Sequence, residues 1–195
     1  MSVAPNTDAS DATPKKNTLE VDTGLSVASG KTLDLQSGID LEVYPGKTLR
    51  VDGTLTADAL RNNGTTIVTS GNTLQLRGGL TNAGTLNVTA TGRVVADGTF
   101  TNTGTVTLAA GATVMAKTFA AGAAPSGWEV SAAADANGYY QLVPEPEPFS
   151  VTFDANGGKW DADTGQTIVQ VEADGTVALP AEHSLDFGGE HSQIK

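Results

Sequence analysis

Apolar and polar side chains alternate in short runs along the middle of the chain. The pairs Leu33/Leu35, Leu49/Val51, Leu74/Leu76, Leu86/Val88 and Val106/Leu108 each enclose one polar residue, and Val114/Ala116 keeps the same spacing. A period of two is that of a strand with one face buried and one in water. Nowhere does the three- and four-residue spacing of an amphipathic helix replace it. The pattern predicts an all-β chain of many short strands.

The runs repeat. GTFTNTGTVTL at 98–108 echoes GGLTNAGTLNV at 78–88 and the looser LRNNGTTIV at 60–68, which sets Asn62, Asn82 and Asn102 in register at intervals of 20 residues. Thr65, Thr85 and Thr105 follow in the same register, as do Gly64, Gly84 and Gly104. A second phrase, Gly-x-Thr-(Leu/Val), begins at Gly30, Gly46, Gly71 and Gly111, with a degenerate copy, GRVVAD, from Gly92. Self-similarity at this period marks a solenoid, in which one small unit stacks on its copies because it cannot bury its apolar face alone. Read this way, each coil holds two strand phrases, and Ala57–Arg61 is a loop inserted into a stack of about five coils from Asn17 to Phe119. The strand spacing makes that stack on the order of 25 Å long.

This register assigns roles to residues with little chemistry of their own. Thr suits the outward side of a strand, and Gly supplies positive-φ corners. Asn62, Asn82 and Asn102 are placed to stack as a structural ladder, each amide bonding the next, while Thr65, Thr85 and Thr105 form a candidate outward face. Beyond the stack, WEVSAAADANGYYQLV at 128–143 reads as a hairpin turning at Asp135-Ala-Asn-Gly138. Its Trp128, Tyr139 and Tyr140 are placed to cover the open end of the stack. PEPEP at 144–148 then forms a stiff linker that marks a domain boundary.

Composition narrows the partners. The net charge of −11 disfavours nucleic acid and anionic membranes, and no span approaches the length needed to cross a bilayer. The chain has no Cys, so disulfides and thiolate sites are absent. Residues 1–16 lack the basic start and apolar run of a signal peptide and read as a disordered leader.

After the linker, FSVTFDANGGKW at 149–160 and VQVEADGTVALP at 169–180 resemble the Listeria-Bacteroides repeat, the B-repeat of internalin-type bacterial surface proteins. The resemblance implies a small β-grasp-like module, used in extracellular proteins as spacer or interaction unit. Its final Gly-Tyr-x-Phe-x-Gly-Trp-like segment has no counterpart here, so 149–195 reads as an incomplete copy. The Gly/Thr/Asn-rich stack separately resembles the β-helical stalks of bacterial adhesins.

Candidate chemistry is sparse. His183 and His191 stand apart from any nucleophile or ligand cluster, and Asp161/Asp163 and Asp154/Asn156 depart from calcium-loop spacing. In the two-strand register, Asp34, Arg50 and Gln75 form one outward column and Asp52, Arg77 and Asp97 another, and neither pairs carboxylates in adjacent coils as a polysaccharide-cleaving β-helix would. No catalytic, cofactor or metal site is expected. The whole reads as a short parallel β-solenoid at 17–127, a capping hairpin at 128–143, a linker at 144–148 and a partial β-grasp-like module at 149–195. The function expected is that of a non-enzymatic stalk or spacer in a secreted or cell-surface adhesin, with host matrix proteins or glycans as partners. The alternatives are an ice-binding solenoid using the Thr face and a polysaccharide-binding or -cleaving β-helix.

Overall fold

The computed structural model of the chain describes residues 2–3, 17–146, 150–154 and 166–170. Every regular element among them is a strand. They fall into two units, residues 1–144 and 145–195.

The first unit is a parallel solenoid whose coils each visit three faces. The first coil holds β1 (Ser2–Val3), β2 (Asn17–Val21) and β3 (Leu25–Val27), and the second holds β4 (Thr32–Leu35), β5 (Ile39–Val43) and β6 (Thr48–Val51). The third has β7 (Thr54–Ala57), β8 (Leu60–Asn62) and β9 (Thr65–Val68), and the fourth β10 (Thr73–Leu76), β11 (Leu80–Asn82) and β12 (Thr85–Val88). In the fifth, β13 (Arg93–Asn102) runs through the corner between two faces before β14 (Thr105–Leu108). The sixth coil is begun by β15 (Thr113–Phe119). Face one stacks β1, β4, β7, β10, β13 and β15; face two stacks β2, β5, β8, β11 and the end of β13; face three stacks β3, β6, β9, β12 and β14.

Three faces correct the two-strand unit expected from sequence. The phrase at Gly46 belongs to face three, where Leu49 pairs Leu25 and Thr66, whereas the phrases at Gly30 and Gly71 belong to face one. Ala57 to Arg61 is therefore wall and not an inserted loop: Ala57 is a buried end of β7, and Leu60 opens β8. The second coil is longer than the third at two corners: five residues separate Leu35 from Leu41 where two separate Ala57 from Leu60, and four separate Val43 from Thr48 where two separate Asn62 from Thr65, the latter corner closed by the Lys47 amide on the Tyr44 carbonyl.

Register makes the core a set of columns. Leu33, Leu55, Leu74, Val94 and Val114 stack on the inner side of face one. Leu19, Leu41, Leu60, Leu80, Phe100 and Phe119 do so on face two, and Val27, Val51, Val68, Val88 and Leu108 on face three. Leu41, Leu49, Leu55, Leu74, Leu80 and Leu86 have no exposed surface. Each such side chain contributes about 1.5–3 kcal/mol by leaving water, which lets short strands of poor intrinsic stability hold together.

Two corners explain the glycines differently. Gly84 is not among the glycines of positive φ, and a Cβ there would lie 2.0 Å from the Gly64 carbonyl oxygen. Its successor Gly104 would meet the Gly84 oxygen at 2.1 Å. Contact, and not φ, requires Gly in this column. At the corner leading into face one the reverse holds: Gly71 has φ 75 and open space around it. The fifth coil places Thr91 in that left-handed position, with φ 59, because Arg93 pairs Thr73 and the phrase at Gly92 is shifted one residue from the alignment read in the sequence. A β-branched residue is strained there.

After β15 the chain closes its own end. β16 (Trp128–Val130) pairs antiparallel with β17 (Tyr140–Pro144), and β17 pairs antiparallel with β15. In the second unit, β18 (Ser150–Asp154) and β19 (Gln166–Gln170) form an antiparallel pair. Most of the leader, the turn of the B-repeat-like phrase, Asp161, Asp163, His183 and His191 lie outside the described residues. Of residues 1–16, Ser2 and Val3 lie beside Asp34 and Leu35.

Gly84→Ala should lower stability by several kcal/mol, since backbone on both sides of the clash must move, while Gly71→Ala should cost about 1–2 kcal/mol for its left-handed φ. Thr91→Gly should be neutral to stabilising by up to about 1 kcal/mol. Thermal or denaturant unfolding of the three variants checks this order.

Candidate functional site

A polar ladder runs through the apolar interior at the end of face two. Asn62 Nδ2 donates to Asn82 Oδ1 at 2.7 Å, and Asn82 Nδ2 donates to Asn102 Oδ1 at 2.8 Å. Each rung is also tied to backbone, Asn62 to the Thr85 carbonyl, Asn82 to that of Thr105 and Asn102 to that of Ala123. Asn62 and Asn82 have no exposed surface. The ladder begins at Asn62 because its register neighbour below is Val43, so the Asn62 Oδ1 is buried without a partner. These amides are committed to one another and to the backbone, which makes them a device for register.

Thr65, Thr85 and Thr105 continue an outward column on face three that starts at Thr48. Beside it runs Ser26, Arg50, Ile67, Asn87 and Thr107. A double row of hydroxyls thus exists at the top strand, and Arg50 and Ile67 break it below. Arg50 is held by Asp52 at 2.7 Å. Asp52 is pulled below the usual carboxylate range, chiefly by that guanidinium and next by the Thr69 hydroxyl.

The charged columns expected from sequence form only in part: Asp34 and Gln75 share an outward column on face one without Arg50, and Arg77 and Asp97 follow the register partners Leu76 and Ala96. Arg50 pairs Ser26 and Ile67, while Asp34 pairs Thr56, which in turn pairs Gln75. Arg77 reaches back through the stack from the corner of the fourth coil, with Nη2 2.7 Å from Asp34 Oδ1, Nη1 2.7 Å from the Leu35 carbonyl and 3.5 Å from Asp58 Oδ1. Asp58 also accepts the Gly38 amide at 2.7 Å. Three coils are clipped at one corner by one guanidinium, a separation no local motif announces.

Face two supplies the carboxylate neighbours that the two-strand register lacked. Its outward column reads Glu20, Glu42, Arg61, Thr81 and Thr101, so Glu20 and Glu42 are register partners with Arg61 next above. Asn63 Nδ2 donates to Glu42 at 3.1 Å. The Tyr44 hydroxyl is raised above its ordinary pKa, first by donating to Glu20 and then by burial and the surrounding acids. Among the described residues no group of His, Cys, Asp and Glu is arranged to hold a metal ion.

Two features went unread in the sequence. Thr66 replaces Leu in the inward column of Leu49, Leu86 and Val106, and its buried hydroxyl has no partner. The signal was present as Thr65-Thr66 where the next copy has Thr85-Leu86. The other is the contact of the cap with face one. The Tyr139 hydroxyl donates to Asp97, Lys117 Nζ lies 3.9 Å from the Tyr139 ring centre, and the same ammonium donates to the Asn137 carbonyl. Asp135 folds this turn by accepting the Asn137 and Tyr139 amides at 2.9 Å, and its carboxyl is held low first by the Tyr139 amide.

A family model described as haemagglutinin repeat matches residues 6–78 and, overlapping it, 73–118. No curated protein and no solved structure matches the chain.

Asn82→Ala should cost about 2–3 kcal/mol by breaking the ladder at its middle rung, whereas Thr66→Val should raise stability by about 1 kcal/mol by removing an unpaired buried hydroxyl. Equal effects in denaturant melts would contradict these assignments. The Tyr139 hydroxyl, bonded first of all to the Asp97 carboxylate, has its pKa raised above 10.0. Because the folded value is the higher one, the stability it contributes is complete below the ordinary tyrosine pKa and is lost as pH rises through the folded value. In an NMR titration Asp97→Asn should move Tyr139 back toward its ordinary value.

Proposed function

The chain belongs to the haemagglutinin repeat family, a non-enzymatic, adhesin-type family, and on that premise we propose that it serves as a stiff stalk segment of a secreted or cell-surface bacterial adhesin. The observation that supports this reading most is the continuity of the inward column Leu19, Leu41, Leu60, Leu80, Phe100 and Phe119, which has no break along the stack. A rod built this way resists bending because each coil is hydrogen-bonded to the next along all three faces. Its outer surface is free to vary without disturbing the columns within. Residues 149–195, with the β18–β19 pair, act in this reading as a B-repeat-like spacer, and host matrix proteins or glycans are the partners of the adhesin it supports.

A second reading, a polysaccharide-binding or -cleaving solenoid, is favoured by the Glu20, Glu42 and Arg61 column on face two. Neighbouring carboxylates with a cation are what glycosidic chemistry uses. In this reading Glu42→Gln removes turnover or binding of an added polysaccharide while the fold melts unchanged.

Pulling the full chain between its ends in a force spectrometer tests the stalk. Coil-by-coil release should lengthen the chain in steps of about 70 Å, the extended length of about 20 residues, after a force plateau. Smooth lengthening at low force would refute a mechanical role. Cleavage of a polysaccharide that Glu42→Gln abolishes would establish the second reading in its place.

A further inference from the structure

The cap joins the last coil through a single strand edge. β17 bonds β15 through the register pairs Met115 with Gln141 and Ala116 with Tyr140. Leu142 is buried, Trp128 and Val130 pack against the core, and Tyr139 and Lys117 add exposed polar contacts. Val95 and Met115, which their register turns outward, are 3% and 8% exposed. The covalent connection is short. The chain is pinned to the solenoid as far as Ala123, whose carbonyl accepts Asn102 Nδ2 at 3.3 Å, and Ala124-Pro-Ser-Gly127 then leads directly into β16. Gly127 sits in the left-handed region at φ 77.

We infer that the hairpin Trp128–Pro144 is exchangeable between two copies of this chain, each hairpin seating on the other's β15 to give a reciprocal dimer. The occupant follows from the seat itself: the strand register, the core surface that receives Trp128, Val130 and Leu142, and the Asp97–Tyr139 and Lys117–Tyr139 contacts are complementary to this hairpin, and a second copy presents the identical one. A lifted hairpin leaves the β15 edge unpaired and Trp128, Val130 and Leu142 in water, which favours capture of another strand over persistence of the open form. Short connectors promote such exchange, since extending them across to a neighbour removes the tight reversal that closure demands. For a stalk the consequence is a pair of rods joined at their capped ends, which doubles whatever binding regions they carry.

The absence of cysteine permits a direct test in the full chain. Met115 and Gln141 are opposed across an antiparallel pair, a separation within disulfide reach. The double variant Met115→Cys, Gln141→Cys is held reduced over a range of concentrations, then oxidised and run without reductant, beside light scattering of the unsubstituted chain. The expected result is an internal cross-link at low concentration and a covalent dimer that rises with concentration, with light scattering of the unsubstituted chain rising in parallel. Four Gly/Ser residues inserted after Ser126 should lower the dimer fraction severalfold, and Tyr139→Phe should speed its appearance. Internal cross-links at every concentration would overturn the inference, whether light scattering reports monomer throughout or a dimer formed by some other surface.

Discussion

The rest of the structure depends on backbone lying on backbone. Thr85 N reaches the Gly64 carbonyl at 2.8 Å, and Thr105 N reaches that of Gly84 at 2.8 Å, at the same corner of successive coils. At that corner no Cβ fits. Once the corner is closed by glycine, the strands on either side are locked into register, and each inward side chain must sit on its counterpart one coil below. A shift of one residue would turn every apolar column outward. The Asn ladder adds a penalty for any other misalignment, because a displaced amide would meet hydrocarbon instead of its partner.

That division of labour separates stability from display. The inner columns are chiefly Leu, Val and Ala, with Phe100 and Phe119 at one end, a single amide seam and Thr66, and they hold the rod together. The outward columns differ from face to face: hydroxyls on face three, carboxylates and Arg61 on face two, and on face one a surface partly covered by the cap. The ends are where the arrangement is weakest. At the last coil an antiparallel hairpin pairs part of the β15 edge and stands in for the next coil, with Leu142 buried in the core.

Much of this was legible in sequence because repetition exposes it. The 20-residue interval of Asn62, Asn82 and Asn102, the period-two runs and the Asp-Ala-Asn-Gly turn follow from local pattern. The three-faced coil was hidden because the phrase Gly-x-Thr-Leu serves two faces, Thr32–Leu35 on one and Thr48–Val51 on another. Short strands such as Leu60–Asn62 also run almost without a break into the next. That misreading dispersed the charged columns: Glu20 and Glu42 become neighbours only when the second coil is given its full length. The Arg77 clip to Asp34, 43 residues away, has no local signature at all. Long-range polar contacts of this kind arise from register, and register must be known first.

Scalar couplings across hydrogen bonds report that register in solution without interpretation of shape. An experiment detecting amide nitrogen to carbonyl carbon transfer should connect Thr85 with Gly64, Thr105 with Gly84, Arg93 with Asn72 and Thr73 with Gly53, the pairs whose backbone bonds build the stack. Correlations joining residues 71–76 to 46–51 instead, as a two-strand coil requires, would contradict the three-faced register on which the account rests.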